Sequence, residues 1–407
     1  MGLEARAAIV FAITYVLIAG RRLQWLPIDR PAGALLGAAL VVVLRVLTPR
    51  EALAAIDLPT IVLLFGVMGM GAFLAKDDLF ERLAPWIARR ARTRGRLLAL
   101  LVWTAGPLAA LVTNDAVCVL AAPVVVGWIR RWGLPRLPFL LALATASNTG
   151  SVATLVGNPQ NMLCQSLGRL DFATYLSHAA PVALVGLAIN HAVIALLFRR
   201  ELAAPLGEDG DAAPPAVGRG AAITLAVIVG SVVAYTAGAN LAFAALAGLV
   251  VLMLAHRAEP SHVWERVDGS VLLFFAGLFV VTHGLHASGL PADAFARFPV
   301  RGDGFGGWMR AAAIFLVGSN VVTNVPFILV AQDEVARFAG APGWELLAMA
   351  STFAGNLTLL GSVANVIVAE KARDVGGLRF VEYLKVGVPV ATLTTLAGAA
   401  WLYWVTR

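Results

Sequence analysis

Two short polar clusters recur about half a chain apart in an otherwise apolar sequence, and their residue types are those that interrupt helices and hold ions. LVTNDAVCVLAAP at 111–123 returns as VVTNVPFILVAQ at 321–332, which superposes Thr113 on Thr323 and Asn114 on Asn324. ATLVGNPQN at 153–161 returns as LTLLGSVAN at 357–365, pairing Thr154 with Thr358, Gly157 with Gly361 and Asn161 with Asn365. Where a helix stops inside a membrane, its free N–H and C=O groups face no water and need side chains, neighbouring helices or a bound ion. Thr and Asn supply that chemistry. A helix beginning at Asn114 or Asn324 would also turn a positive dipole end toward an anionic group. Gly157 and Pro159 predict unwinding near 155–160, which frees carbonyls for a cation, whereas the mirror segment has Gly361 and Ser362 but no proline and so predicts a milder break. Each cluster alone could merely cap a break; its duplication points to a solute site between two structural repeats.

Asp115 is the one acid expected well inside the apolar region, and a carboxylate at that depth costs at least about 2.5 to 3.5 kcal/mol, so ion or proton handling is its expected role. Upstream of the second cluster, Ser147, Asn148, Thr149 and Ser151 form a polar run that faces either the site or a neighbouring helix. His191 lies within an apolar segment and has no assigned role, and Cys118 and Cys164 lack metal-binding spacing and read as small core residues. No GxSG, HExxH or helically spaced pair of acids supports an enzyme.

The elements that must position these residues are membrane helices. With 59% hydrophobic and 14% charged residues, and a mean hydropathy of +0.82, the 407-residue chain has too little polar surface for a soluble globule. The net charge of +7 is a topology signal at the ends of apolar segments and does not point to nucleic acid. Spans are expected near 6–20, 31–48, 59–75, 138–166 and 174–198, then near 219–236, 239–256, 268–285, 344–369 and 383–404. Two interrupted stretches, 97–129 and 306–332, fit re-entrant hairpins. With hairpins, most of the 31 basic residues fall on one side, including the run from Arg89 to Arg96 together with Arg130, Arg131 and Arg136. That side is read as the cytoplasm, which places both termini outside.

The predicted fold is therefore an all-α polytopic membrane protein built as an inverted repeat, each half carrying five transmembrane helices and one re-entrant helical hairpin. Residues 1–200 form the first repeat, with hairpin 97–129 and broken helix 138–166. Residues 201–218 form a cytoplasmic linker rich in Pro, Gly and acid. Residues 219–407 form the second repeat, with hairpin 306–332 and broken helix 344–369. Segments 77–94 and 291–303 are amphipathic and are expected along the membrane surface.

TNDAVCVLAAP at 113–123, ATLVGNPQN at 153–161 and GNLTLLGSVANVIVAE at 355–370 resemble, over nearly the whole chain, the ion transporter superfamily. That superfamily includes divalent anion/sodium symporters, ArsB-type arsenite permeases and NhaD-type sodium/proton antiporters. The similarity is greatest to bacterial anion and arsenite permeases with an Asn-Asp hairpin tip. Asp115 stands where the carboxylate symporters carry a neutral Thr, with Val325 at its mirror position. The resemblance implies a homodimer in the cytoplasmic membrane and elevator-like alternating access, coupled to H+ or Na+. Its substrate is a small anion or an arsenite-like oxyacid, with a Na+/H+ antiporter or a passive anion channel as alternatives, and no other cofactor. The implied site comprises Thr113, Asn114, Asp115, Thr154, Gly157, Asn158 and Asn161 in one half. Thr323, Asn324, Thr358, Gly361, Ser362 and Asn365 complete it from the other, with Na+ at Asn114, Gly157, Asn324 and Gly361.

Overall fold

The computed structural model describes residues 2–19, 28–206, 218–257, 259, 261, 264–265, 267–297, 299–300 and 304–407. Most of the expected linker, 207–217, and residues 301–303 of the second amphipathic segment lie outside the described residues. Helices account for the described secondary structure apart from one isolated bridge between Thr93 and Pro205, and no strand occurs among the described residues.

The first half runs α1 (Leu3–Ala19), α2 (Arg30–Val43), α3 (Pro49–Ala54), α4 (Leu58–Lys76), α5 (Leu79–Arg90), α6 (Arg94–Leu111), α7 (Asn114–Trp132), α8 (Arg136–Ser151), α9 (Pro159–Gly168), α10 (Phe172–Leu197) and the short α11 (Arg199–Leu202). The second runs α12 (Arg219–Thr236), α13 (Leu241–Ala255), α14 (Gly269–Ala287), α15 (Leu290–Arg297), α16 (Gly304–Val321), α17 (Asn324–Ala339), α18 (Ala341–Ala354), α19 (Val363–Lys371) and α20 (Phe380–Val405). Among the described residues, apart from α3, α11 and one turn of 3₁₀ helix, the order of long, short, paired and broken helices is the same in both. Packing repeats with the halves exchanged: α4 lies on α13 as α14 lies on α2, and α7 meets α19 as α17 meets α9.

Among the described residues five helices, α4, α10, α12, α14 and α20, are long and apolar enough to cross a bilayer. Large apolar side chains on outer helices remain uncovered, among them Leu196, Phe243, Leu254 and Trp404, as a lipid-facing surface requires. The broken helices are the reverse: α8 is buried from Pro138 through Ser151 and α18 from Gly343 through Ala354, so the polar runs they carry form the centre of the molecule.

The expected span 31–48 is shorter than read, because α2 stops at Val43 and Arg45 takes a left-handed φ of 54°. Arg6 holds the freed carbonyls of Leu44 and Arg45 through Nη1, at 2.7 and 3.2 Å, and a Thr48–Glu51 capping box then starts α3. With 14 residues in α2 and 15 in its counterpart α13, each reaches only about 21 to 23 Å at ~1.5 Å per residue, less than the ~30 Å hydrocarbon core.

Both interrupted stretches form paired helices. In the first, Leu111 ends α6 and the Thr113 hydroxyl caps α7 by accepting from the Ala116 N–H at 3.2 Å. Helix α5 packs on both α6 and α7. In the second, α15 immediately precedes α16 and also touches α17, which repeats the arrangement.

Candidate functional site

Each broken helix is held open by one asparagine. Asn161 Nδ2 donates to the Ser151 and Thr154 carbonyls at 3.2 and 2.8 Å, and Asn365 Nδ2 donates to the Gly355 and Thr358 carbonyls at 2.7 and 3.1 Å. The same number of residues separates each member of one set from its counterpart, so the duplicated sequence makes duplicated hydrogen bonds. The first break covers 152–158 and ends where Asn158 caps α9, accepting from the Asn161 N–H at 2.8 Å, with Pro159 in the first turn. The second covers 355–362 and is at least as long, which corrects the expectation of a milder break. Asn365 satisfies two of the freed carbonyls there, as Asn161 does in the first break.

The hairpin tips dock on these breaks. The Asn114 backbone N–H donates to the Gly157 carbonyl at 3.0 Å, and Asn324 Nδ2 donates to the Gly361 carbonyl at 3.2 Å. Gly157 is required by the fold of the break itself, since a Cβ there would lie 2.2 Å from the Ser151 oxygen. The tips differ in one respect. Thr113 is extended at φ −141°, whereas Thr323 sits at φ 65° and ψ 157°, a region that costs a β-branched residue about 1 to 3 kcal/mol. Strain of this kind persists where surrounding structure fixes the segment.

Between the tips lies a cavity of ≈ 240 Å³ bordered by Arg30, Asn114, Asp115, Gln160, Thr323, Asn324, Gly361 and Ser362 among others. A second cavity of ≈ 300 Å³, lined by Met68, Gly71, Thr113, Ala116, Asp268 and Ile367, shares Asp115, Pro159, Val271 and Val363 with the first, so Asp115 stands where the two meet. On Asn114, Asp115 and Asn324 alike, Oδ1 is buried and without a partner. Each asparagine Nδ2 has one of its two hydrogens engaged, Asn114 with the Asn148 Oδ1 at 2.8 Å and Asn324 with the Gly361 carbonyl. The groups these three side chains leave with no partner at all are acceptor oxygens.

Of the residues expected at the site, the structure brings Asn114, Asp115, Thr323, Asn324, Gly361 and Ser362 to one cavity and Thr113 to the adjoining one. Side chains of Asn158, Asn161 and Asn365 hydrogen-bond within and across the breaks, those of Thr154 and Thr358 donate to the Ala110 carbonyl on α6 and to Asn320 Oδ1 on α16, and Gly157 offers its carbonyl to Asn114. Asn148, Thr352, Asn356 and Asn320 were not singled out as site residues, yet they tie the halves and tips together. Asn158 Nδ2 donates to Thr352 Oγ1 at 3.2 Å, Asn148 Nδ2 to Asn356 Oδ1 at 3.0 Å, and Asn320 Nδ2 to the Ala354 carbonyl at 2.9 Å. Aligning the repeats on Gly157 and Gly361 sets Asn148 opposite Thr352, a signal in the sequence that could have found both. Among the described residues no cluster of three or more His, Cys, Asp or Glu could hold a metal ion, and both cysteines are buried free thiols.

Comparison with known proteins agrees with this architecture. The chain is 32% identical over 429 residues to an uncharacterized transporter of Mycobacterium bovis, covering 98% of this chain and 97% of that one. It is 31% identical over 471 residues to the silicon efflux transporter LSI3 of Oryza sativa subsp. japonica, covering 96% of both, and 26% identical to a putative transporter arsB of Dictyostelium discoideum, covering 96% of this chain and 90% of that one. The YdaH transporter structure from Alcanivorax borkumensis superposes with a TM-score of 0.58 at 13% identity, covering 99% of this chain and 97% of that one, which shows a shared fold. The family profile described as citrate transporter (CitMHS) matches residues 15–354, and the chain is a membrane transporter belonging to that family.

Proposed function

We propose that this protein is a secondary active transporter carrying a small, uncharged, hydroxylated oxyacid of the arsenous or silicic acid type across the cytoplasmic membrane. The observation that supports it is the set of unpartnered acceptor oxygens on Asn114, Asp115 and Asn324 around one cavity. A ligand that donates hydrogen bonds satisfies all three, and an unmet buried acceptor costs about 1 to 3 kcal/mol. A polycarboxylate brings only acceptors and negative charge to a wall that already holds the Asp115 carboxylate, with Arg30 the one cationic side chain along it among the described residues. The names of the rice and Dictyostelium relatives accord with an oxyacid.

Alternating access follows from the duplicated architecture: two hairpins entering from opposite sides in an inverted repeat would expose the cavity to each side in turn, by an elevator-like movement in a homodimer with its termini outside. Asp115, between the cavities, is the residue placed to carry the coupling H+ or to ligate Na+. The same three oxygens could coordinate Na+ directly, which favours a Na+/H+ antiporter as the second reading. Proteoliposomes under imposed pH and Na+ gradients decide between them. Accumulation of arsenous or silicic acid is expected; 22Na+ flux without oxyacid flux supports the antiporter, and citrate accumulation alone refutes both.

A further inference from the structure

Asn114 borders the cavity, and a chain of contacts that begins in the other half decides whether its oxygen or its amide nitrogen is left without a partner. The carbonyls of Gly355 and Thr358 can only accept, so Asn365 must turn Nδ2 toward them, at 2.7 and 3.1 Å, and its Oδ1 away. That Oδ1 receives Asn148 Nδ2 at 3.0 Å. The same Nδ2 also meets Asn356 Oδ1 at 3.0 Å, and Asn356 cannot reverse, because its own Nδ2 is engaged by the Thr145 carbonyl and by Thr149 Oγ1 at 3.3 and 2.9 Å. Asn148 Oδ1 is thereby turned to the opposite side, where it accepts from Ser362 Oγ at 3.0 Å and from Asn114 Nδ2 at 2.8 Å. The Asn114 amide is then fixed with Oδ1 left over.

We propose that Asn148, which does not border the cavity, is the positioning residue that sets the site's polarity: anchored by Asn365 and Asn356, it obliges Asn114 to offer an acceptor and so selects a hydrogen-bond-donating solute. The claim that this selects the solute rests on the oxyacid reading above. Among the described residues the second half has no such relay. Thr352, opposite Asn148, bridges Asn158 and Asn161 at 3.2 and 3.0 Å, and the Gly361 carbonyl alone orients Asn324. Polarity at one tip thus depends on contacts across the two halves, and at the other on a contact within one half.

The test uses full-length protein in proteoliposomes, with arsenous acid and citrate as probes. Asn148→Leu removes the clamp with similar side-chain shape and lets the Asn114 amide turn. The expected result is a loss of preference for arsenous acid over citrate of about tenfold, the worth of one hydrogen bond, and no further loss when Asn114→Ala is added. A drop in flux with the preference unchanged assigns Asn148 to general packing and overturns the proposal. Asn148→Asp supplies a finer readout. Its carboxylate still accepts from Asn114 Nδ2 but has no donor for Asn365 and Asn356, so flux should fall in this variant and recover on acidification, when the protonated acid regains a donor, while the preference for arsenous acid is kept. An Asp variant that loses the preference as Asn148→Leu does overturns the proposal. If wild type moves neither probe, the functional reading fails on its own. The positioning claim is then decided by melting temperatures of the Asn148→Leu, Asn114→Ala and double variants: non-additive shifts support it and additive shifts overturn it.

Discussion

The duplicated asparagines make a quantitative prediction because each carries the same load. Replacing Asn161 by Leu removes two donations, to Ser151 and Thr154, and the acceptor for Thr352 Oγ1 at 3.0 Å. Replacing Asn365 by Leu removes donations to Gly355 and Thr358 and the acceptor for Asn148 Nδ2 at 3.0 Å. Leu keeps the branched shape at Cγ, so the change is chiefly the loss of three hydrogen bonds. In membrane proteins such bonds contribute about 0.6 kcal/mol on average and up to ~1.7, which gives roughly 2 to 5 kcal/mol for each variant. The two values should agree within about 1 kcal/mol, and both proteins should lose transport because the breaks beneath the hairpin tips no longer hold their shape. Reversible unfolding in mixed micelles measures the first quantity and proteoliposome flux the second. A severe loss for one variant with a loss below about 0.5 kcal/mol for the other would refute the equivalence of the two breaks.

Other outcomes follow from the same contacts. Asn324→Ala removes both the tie to Gly361 and one cavity acceptor, and should weaken apparent solute affinity by about tenfold with normal insertion, measured as the half-saturating concentration for uptake. Asp115→Asn should abolish gradient-driven accumulation while sparing exchange; accumulation with an unchanged pH and Na+ profile would place the coupling ion elsewhere. Gly150→Ala sets a Cβ 2.1 Å from the Gly106 oxygen and should force α6 off α8, seen as a lower melting temperature and lost transport. Single cysteines near Arg90 and Arg131 should both label from the cytoplasm, and ones near Phe305 and Gln332 both from outside, with opposite-side labelling within a pair ruling out that hairpin.

Local signals carried much of this structure. Thr113 and Thr323 stand where the paired helices turn, and Gly157 and Pro159 fall at a break, because helix interruption is written in the residues that cause it. The short α2 was less legible, since its end depends on Arg6 reaching the Leu44 carbonyl from a different helix. The depth of the second break is less legible for a similar reason: Asn365, like Asn161 in the first, holds it through contacts that only the folded chain assembles. Asn148 lay within a polar run that the sequence marked, but its role requires Asn365, Asn356, Ser362 and Asn114 to meet around it, and no periodicity in one half reports partners in the other.

Counterflow tests the central claim most directly. Proteoliposomes loaded with unlabelled arsenous acid, without any ion gradient, should take up external radiolabelled arsenous acid transiently above its equilibrium level, saturably, and Asn324→Ala should shift the saturation. Uptake that is linear in concentration and indifferent to internal solute, or counterflow supported by citrate and not by the uncharged oxyacid, would contradict the account.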